Sequence, residues 1–181
     1  MNQIGKNSAF AKLLEYEKRG TSFSAGGENG NGPSEEWSGV TFGLGDARLA
    51  CNIDRISEIL PCPPSTPVPG AKPWIIGLAN VRGDLLTVID FASYLTGVRS
   101  PIRSNSRLLA TSLNKAPIGL LVDEVFGQRR FLDREAVDAD LAEESAMHGV
   151  VRKQHQLGSE TWHELDLDRL FNSADFLNGA A

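Results

Sequence analysis

The chain has 181 residues, 41% of them hydrophobic, which suits one domain or two small ones that share a core. Its formal net charge of −5 argues against a general nucleic-acid binder, a class that is usually basic. No apolar run approaches the ~18 residues needed to span a bilayer, and the first residues lack the apolar core of a signal peptide, so we expect a cytoplasmic protein without direct membrane insertion. The two cysteines, Cys51 and Cys62, form no C-x-x-C motif, which predicts reduced thiols and no zinc site, redox centre or other cofactor.

The N-terminal region reads as a segment outside the main folded body. Residues 8–19 place apolar side chains at helical spacing behind Ser8, a residue that can cap a helix. The stretch that follows is rich in Gly, Ser and Asn and has little to bury. The helix either packs on its own domain, or frays, or serves as a partner-binding peptide on a tether. We therefore predict an N-terminal amphipathic helix at 1–19, a flexible linker at 20–36, a folded domain at 37–176 and a tail at 177–181.

The folded region opens with alternating apolar and polar residues, the pattern of half-buried strands. Residues 40–53 alternate on both sides of a Gly45-Asp46 pair, which predicts a hairpin. Residues 54–60 carry apolar side chains at helical spacing, so we predict a short helix there, with Glu58 on it. Prolines then forbid its continuation, and residues 61–73 read as an extended connector.

A second hairpin is the strongest local signal in the chain. The apolar runs 74–81 and 85–89 flank the polar break Arg82-Gly83-Asp84. Gly83 can adopt the positive φ that a tight turn requires at little steric cost. Asp90 then caps a predicted short helix at 91–96, because an aspartate can accept hydrogen bonds from the free N–H groups of a first helical turn.

The second half of the chain predicts further strands and a terminal helix. Residues 108–113 and 118–125 flank an Asn114-Lys115 turn and predict a third hairpin. Residues 126–148 give the weakest local signals of the chain, and within them the acidic, weakly periodic stretch 133–145 indicates a loop with a short helix. The remaining predicted elements are strands near 149–151 and 162–165 and a helix at 167–171. Short strands paired as hairpins and punctuated by Gly and Pro favour a mainly β protein built from small antiparallel barrels.

No combination of residues in the sequence supports catalysis. The chain lacks a G-x-S-x-G nucleophile elbow, a phosphate-binding G-x-x-x-x-G-K-[ST] loop, and histidines or cysteines at metal-ligand spacing. The remaining candidates are Glu58 and Arg82, polar residues on rigid β scaffolding. They either lie on a binding surface or pair with each other to hold their two elements together, and both can be true.

Four blocks of sequence occur in order between Trp37 and Phe171. They are F-G-L-G-D-A-R-L-A-C-N-I-D-R-I-S-E-I-L, G-L-A-N-V-R-G-D-L-L-T-V-I-D-F, I-G-L-L-V-D-E-V and H-E-L-D-L-D-R-L-F. Together they resemble the CheW-like family of coupling domains in bacterial chemosensory arrays. The stretches E-W-S-G-V-T-F and V-D-E-V-F-G are most similar to the PilI type of twitching-motility systems. The chain departs from the family pattern at Thr87, where proline is frequent, and in the basic run Q-R-R-F-L after Gly127.

The resemblance implies a fold of two small intertwined antiparallel five-stranded barrels of the SH3-like type, with short helices. It implies a non-enzymatic adaptor that binds the regulatory domain of a CheA-like histidine kinase and the cytoplasmic tip of a methyl-accepting chemoreceptor. It also implies recruitment to membrane-associated receptor arrays. The residues that match the family's protein-binding region are Ile56, Glu58, Gly77, Asn80, Arg82 and Gly83.

Other functions stay open on the sequence alone. Within the family, the output is either pilus-driven twitching or flagellar chemotaxis. Outside it, a small-barrel nucleic-acid-binding module would bind phosphates with binding that falls steeply as salt is added. Its contacts would be Arg99, Arg103, Arg107, Arg129 and Arg130. The first three of these are more typical of a solvated face than of a phosphate site, and an enzyme is the least supported class.

Deleting residues 1–36 is expected to leave a folded domain, because the linker has little to pack against it. Thermal melts followed by circular dichroism should then give similar melting temperatures for the truncated and full-length chains. A large drop for the truncated chain would show instead that the N-terminal helix belongs to the core.

Overall fold

The computed structural model describes residues 36–143 and 145–180. The predicted helix at 1–19 and residues 20–35 of the predicted linker lie outside this part of the chain. Glu36, assigned to the linker, already begins the first strand. The strands are β1 Glu36–Leu44, β2 Ala47–Asn52, β3 Glu58–Pro61, β4 Ile75–Val81, β5 Asp84–Asp90, β6 Arg107–Leu113, β7 Ala116–Val122, β8 Glu124–Leu132, β9 Ala136–Asp138, β10 Val151–Leu157 and β11 Glu160–Leu165; the helices are α1 Phe91–Thr96, α2 Leu167–Asn172 and α3 Ala174–Ala180.

The strands form two sheets. Sheet 1 has the order β8-β1-β2-β11-β10-β9, and sheet 2 has the order β3-β6-β7-β5-β4. Neighbouring strands are antiparallel except for β2 with β11 and β5 with β7, which run parallel. The predicted mainly β architecture with short helices is confirmed, and so are the three predicted hairpins β1–β2, β4–β5 and β6–β7. Sheet 2 has the five expected strands, while sheet 1 has six.

Three apolar clusters fill the fold. The largest lies between the two sheets and takes fully buried side chains from both, including Leu49 of β2, Leu120 of β7 and Phe91 of α1. A smaller cluster around Val88 is built from sheet 2 alone, and another around Trp162 is built from sheet 1 alone. Burial of one such side chain contributes about 1.5–3 kcal/mol, so the shared cluster, hereafter the shared core, is the main source of apolar stabilisation.

Short helices close the ends of the shared core. The Asp90 carboxylate caps α1 by accepting a hydrogen bond from Ser93 N at 2.9 Å, as the sequence predicts. Asp166 caps α2 in the same way, and the predicted apolar face of that helix is buried. Helix α3 was not predicted; it includes residues 177–180 of the expected tail and buries Phe176. No helix in the described part of the chain is long and apolar enough to cross a membrane.

The predicted helix at 54–60 is wrong. The chain makes one 3-10 turn at Ile53–Arg55 and then enters strand β3, which pairs with β6 along its whole length. The backbone N–H of Ser57 already donates to Ala110 O at 2.8 Å, one residue before the strand. A helix of seven residues is marginal without tertiary packing, so pairing with β6 decides the conformation over the helical spacing. Glu58 is therefore a strand residue.

The sequence assigned no strand to residues 126–132, and the stretch 133–145, predicted as a loop with a short helix, contains strand β9 in its first part. Strand β8 pairs with β1 from Glu124 to Leu132, and a 3-10 turn then leads into β9. The sequence of β8 shows no alternation of apolar and polar residues, because residues 126–130 are all exposed. A register shift also interrupts the pairing of β8 with β1 beside Gly127. A solvent-facing edge strand with a bulge gives no period-two signal in its side chains. The strand expected near 149–151 begins only at Val151.

The two cysteines are expected to differ sharply in reactivity. Cys51 is fully buried in the shared core, and burial raises the pKa of its thiol to about 12. Cys62 is partly exposed on the connector, and burial raises its pKa as well. The thiolate is the reactive form, so an aromatic disulfide reagent at mildly alkaline pH should modify Cys62 in the folded protein and Cys51 only after unfolding. Equal labelling rates without denaturant would contradict this assignment.

Candidate functional site

The β4–β5 hairpin presents the candidate surface at its turn. Val81 pairs with Asp84, so Arg82 and Gly83 are the two turn residues. Both have positive φ, +54° for Arg82 and +99° for Gly83. A two-residue turn of this kind matches the right-handed twist of the flanking strands. Glycine adopts it freely, whereas an arginine is uncommon there, and its side chain is directed by a backbone fixed on both sides.

A hydrogen bond to the side chain of Asn80 stabilises the turn. Its Oδ1 accepts a hydrogen bond from Gly83 N at 3.0 Å. Asn80 is itself exposed on the outer face of the hairpin, directly across from Leu85. Local hydrogen bonds of this kind are a typical use of asparagine in turns. The turn conformation therefore depends on Asn80 and Gly83 together.

Arg82 reaches across the sheet to Glu58. Its Nη2 lies 2.6 Å from Glu58 Oε1, so the ion pair expected as one alternative is formed. Strands β3 and β4 are at opposite edges of sheet 2, and the contact shows that the sheet curls until these edges meet at the turn. The Arg82 side chain is 78% exposed and that of Glu58 32%. An exposed pair of this kind contributes only about 0–1 kcal/mol to stability.

Ile56 and Gly77 lie outside this cluster of contacts. Ile56 packs against the shared core. Gly77 lies where the proline-rich connector crosses β4, and a Cβ there would collide with the backbone carbonyl of Thr66. The connector and β4 are joined there by two reciprocal hydrogen bonds between the backbones of Thr66 and Leu78, each 2.8 Å long. Of the six expected residues, Glu58, Asn80, Arg82 and Gly83 are therefore brought together, and the other two contact the underlying scaffold.

Two exposed apolar residues on the hairpin were missed by the sequence analysis. Leu85 is 63% exposed and Leu78 is 37% exposed, both on the outer face that carries Asn80. The adjacent pair Leu85-Leu86 is the sequence feature that could have revealed one of them. Successive strand residues point to opposite faces, so only one of the two leucines can enter the core. Leu86 is the buried one. Arginine is among the residues enriched at protein interfaces, and these two leucines add exposed apolar area on the same hairpin.

Burial within the fold shifts the pKa of two titratable side chains, Asp90 and His163. Burial raises the pKa of Asp90, while the backbone N–H of Ser93 that it caps acts in the opposite direction. Burial lowers the pKa of His163 on β11. Within residues 36–143 and 145–180, no three metal-ligating side chains come together.

Two β-sheets that share one apolar core, with short helices at its ends, define a small mainly β domain. The chain belongs to the CheW-like domain family, whose model matches residues 38–175. It is 31% identical over 149 residues to the protein PilI of Pseudomonas aeruginosa, covering 80% of this chain and 84% of PilI. It is 25% identical over 143 residues to the protein FrzA of Myxococcus xanthus, covering 78% of this chain and 88% of FrzA.

A solved structure has the same fold. The scaffolding protein TtCheW of Thermoanaerobacter tengcongensis superimposes with a TM-score of 0.67 and 20% identity, covering 78% of this chain and 96% of that one. The resemblance to the family, and within it to PilI, is confirmed by these comparisons.

Replacing Gly77 by alanine is expected to destabilise the fold by about 1–3 kcal/mol, because the added Cβ must displace the connector backbone at Thr66. Gly149→Ala is the matched control, since a Cβ there has open space around it and should change stability by less than about 0.5 kcal/mol. Urea unfolding of both variants gives the comparison. Equal midpoints would show that the crossing at Gly77 adapts to a side chain.

Proposed function

We propose that the chain is a non-enzymatic adaptor that couples methyl-accepting chemoreceptors to a CheA-like histidine kinase. Its membership of the CheW-like family supports this role, and the likeness to PilI supports an output through type IV pilus twitching motility. The adaptor is cytoplasmic and reaches membrane-associated arrays through its receptor partner. Its mechanism is scaffolding: it holds receptor and kinase in one assembly, so that the state of the receptor is passed to the kinase.

The observation that carries the proposal is the hairpin turn. Arg82 projects from a backbone that Asn80 and Gly83 fix, and its charge is oriented by Glu58 while most of its side chain stays exposed. The pair adds little to stability, so the precise placement of Arg82 is better explained by partner binding. Leu85 supplies apolar area beside it. Ile56 and Gly77 support this surface through the scaffold that they contact.

Two alternatives have less support. A flagellar chemotaxis adaptor would use the same surface, and the relatives named as chemotaxis protein CheW keep that output open. A nucleic-acid-binding module would need free arginines, yet several already have partners within the chain. Arg99 donates to Pro73 O, Arg107 donates to Ser104 O, and Arg130 pairs with Glu36.

Arg82→Ala is expected to weaken binding to the regulatory domain of the CheA-like kinase from the same organism by about fivefold or more, the loss typical of an arginine at an interface centre. Its free energy of unfolding should change by less than about 1 kcal/mol, because the lost ion pair is exposed. Titration calorimetry measures the first quantity and urea unfolding the second.

Arg130→Ala is the matched control for this experiment. Arg130 is 80% exposed and pairs with Glu36 at 3.4 Å, so it reproduces the exposure and pairing of Arg82 on the other sheet. The control should bind as the native chain does. Equal affinities for the native chain and Arg82→Ala would remove Arg82 from the binding surface, and no binding by the folded native chain would put the coupling role itself in doubt.

A further inference from the structure

Two arginines cover a buried tryptophan on sheet 1. Trp162 of β11 is fully buried, and its ring lies under the guanidinium groups of Arg48 on β2 and Arg129 on β8. The Cζ atoms of these arginines are 5.5 and 4.9 Å from the ring centroid. Phe126 of β8 packs nearly perpendicular to the same ring, with centroids 5.7 Å apart, and Arg48 Cζ lies 5.0 Å from its centroid. Distances within about 6 Å are those of cation–π contacts, so aromatic rings hold both guanidinium groups in place.

The carboxylate of Glu160 on β11 lies between the two guanidinium groups. Its Oε1 is 3.0 Å from Arg48 Nη2, and its Oε2 is 3.8 Å from Arg129 Nη2. A guanidinium has five N–H donors, so one carboxylate cannot use the donors of both arginines. Two arginines and one glutamate also leave a formal charge of +1 at this position. We call this cluster the arginine–tryptophan surface; it consists of Arg48, Phe126, Arg129, Glu160 and Trp162.

The arginine–tryptophan surface is open to solvent although its geometry is fixed. The side chains of Arg48 and Arg129 are 40% and 45% exposed. Arg129 also belongs to residues 126–130, which are all exposed on the edge strand β8 and include the basic run that departs from the family pattern. A partner can therefore reach both guanidinium groups from the edge of the sheet. Because they are already ordered, binding there avoids part of the entropy cost of fixing two long side chains.

We propose that the arginine–tryptophan surface binds an acidic segment of a protein partner, whose carboxylates pair with Arg48 and Arg129 while its apolar atoms contact Phe126. The planar fork of a guanidinium matches a carboxylate through two parallel hydrogen bonds, and arginine combines this pairing with stacking on aromatic rings. Complementary charge across an interface favours association, whereas like charge opposes it. Glu160 places a carboxylate of the chain itself between the two arginines, so it has the chemistry of the ligand and competes with it.

Anionic membranes and small anions fit this surface less well than an acidic segment does. Electrostatic attachment to an anionic membrane is typical of clusters of about four to eight lysines and arginines. The arginine–tryptophan surface has two arginines, and Glu160 offsets part of their charge. A small inorganic anion would leave the exposed ring of Phe126 without a contact, whereas the side chains and backbone of a peptide can cover it.

The arginine–tryptophan surface is separate from the hairpin turn. Arg48, Arg129 and Trp162 lie on strands of sheet 1, whereas Arg82 lies at the β4–β5 turn of sheet 2. The site therefore goes beyond the proposed coupling of receptor and kinase. It stands or falls separately from that coupling, because neither Arg82 nor Glu58 contributes to it.

Fluorescence anisotropy with two labelled ten-residue peptides tests the proposal on the full chain. In one peptide glutamates alternate with serines around a central leucine, and in the other lysines replace the glutamates. We expect the glutamate peptide to bind at least tenfold more tightly than the lysine peptide. Arg48→Gln and Arg129→Gln should each weaken its binding at least fivefold. Glu160→Gln should strengthen it at least threefold, because the loss of the internal carboxylate frees the N–H donors of both arginines.

Arg130→Gln is the matched control. Arg130 adjoins Arg129 on β8, but it pairs with Glu36 and its side chain is 80% exposed. The control removes the same charge one residue away from the arginine–tryptophan surface and should change the affinity less than twofold. Melting curves show whether each variant is folded, and the two arginine variants on different strands keep the test from depending on one substitution.

Four results would overturn the proposal. Equal affinities for the two peptides, or no binding of either, would remove the acidic ligand. An effect of Arg130→Gln as large as that of Arg129→Gln would reduce the binding to unspecific attraction by positive charge. Unchanged or weaker binding by folded Glu160→Gln would make the two arginines only a cover for Trp162. Capture of the native chain by phosphatidylglycerol vesicles, abolished by Arg129→Gln while peptide binding is unaffected, would make the surface a membrane contact.

Discussion

The shared core between the two sheets is the interaction on which the rest of the structure depends. Each sheet is small, and the apolar cluster that it builds alone is correspondingly minor. The shared core takes buried residues from both sheets and from all three helices, including Leu170 of α2 and Phe176 of α3. Since apolar burial is the dominant favourable term in folding, neither sheet is expected to persist without the other.

This dependence links stability to the proposed binding surface. Strand β5 begins at the hairpin turn with exposed residues and ends in the shared core at Ile89. The turn is thereby fixed to the most stable part of the fold, although its own polar contacts contribute little. The same core orients α1, which follows β5 directly and buries Phe91 there.

The sequence predicted those elements whose local signals agree with their tertiary surroundings. The turns at Gly45-Asp46, at Arg82-Gly83 and at Asn114-Lys115 lie between runs of apolar or alternating residues, and all three hairpins formed. The cap at Asp90 likewise acts within a single helical turn. These features depend on neighbours a few residues away, so they can be read from the sequence.

The predictions that failed concern elements whose conformation depends on residues distant in the sequence. Residues 58–61 form a strand because β6 lies beside them, a partner almost fifty residues away in sequence. Strand β8 was missed because residues 126–130 all face solvent, so its pairing with β1 leaves no alternation in the hydrophobic pattern. The Glu58–Arg82 pair was expected as one alternative, but the curling of sheet 2 that brings its two edge strands together was not.

Native-state hydrogen exchange with increasing urea tests most directly whether the two sheets are one cooperative body. The slowest amides of β2 in sheet 1 and of β5 in sheet 2 should converge on a single global free energy of unfolding, because both strands bury side chains in the shared core. If β5 opened through a separate transition of lower energy while β2 stayed protected, sheet 2 would be an independent unit. The hairpin surface would then not be held by the shared core, and the account would be contradicted.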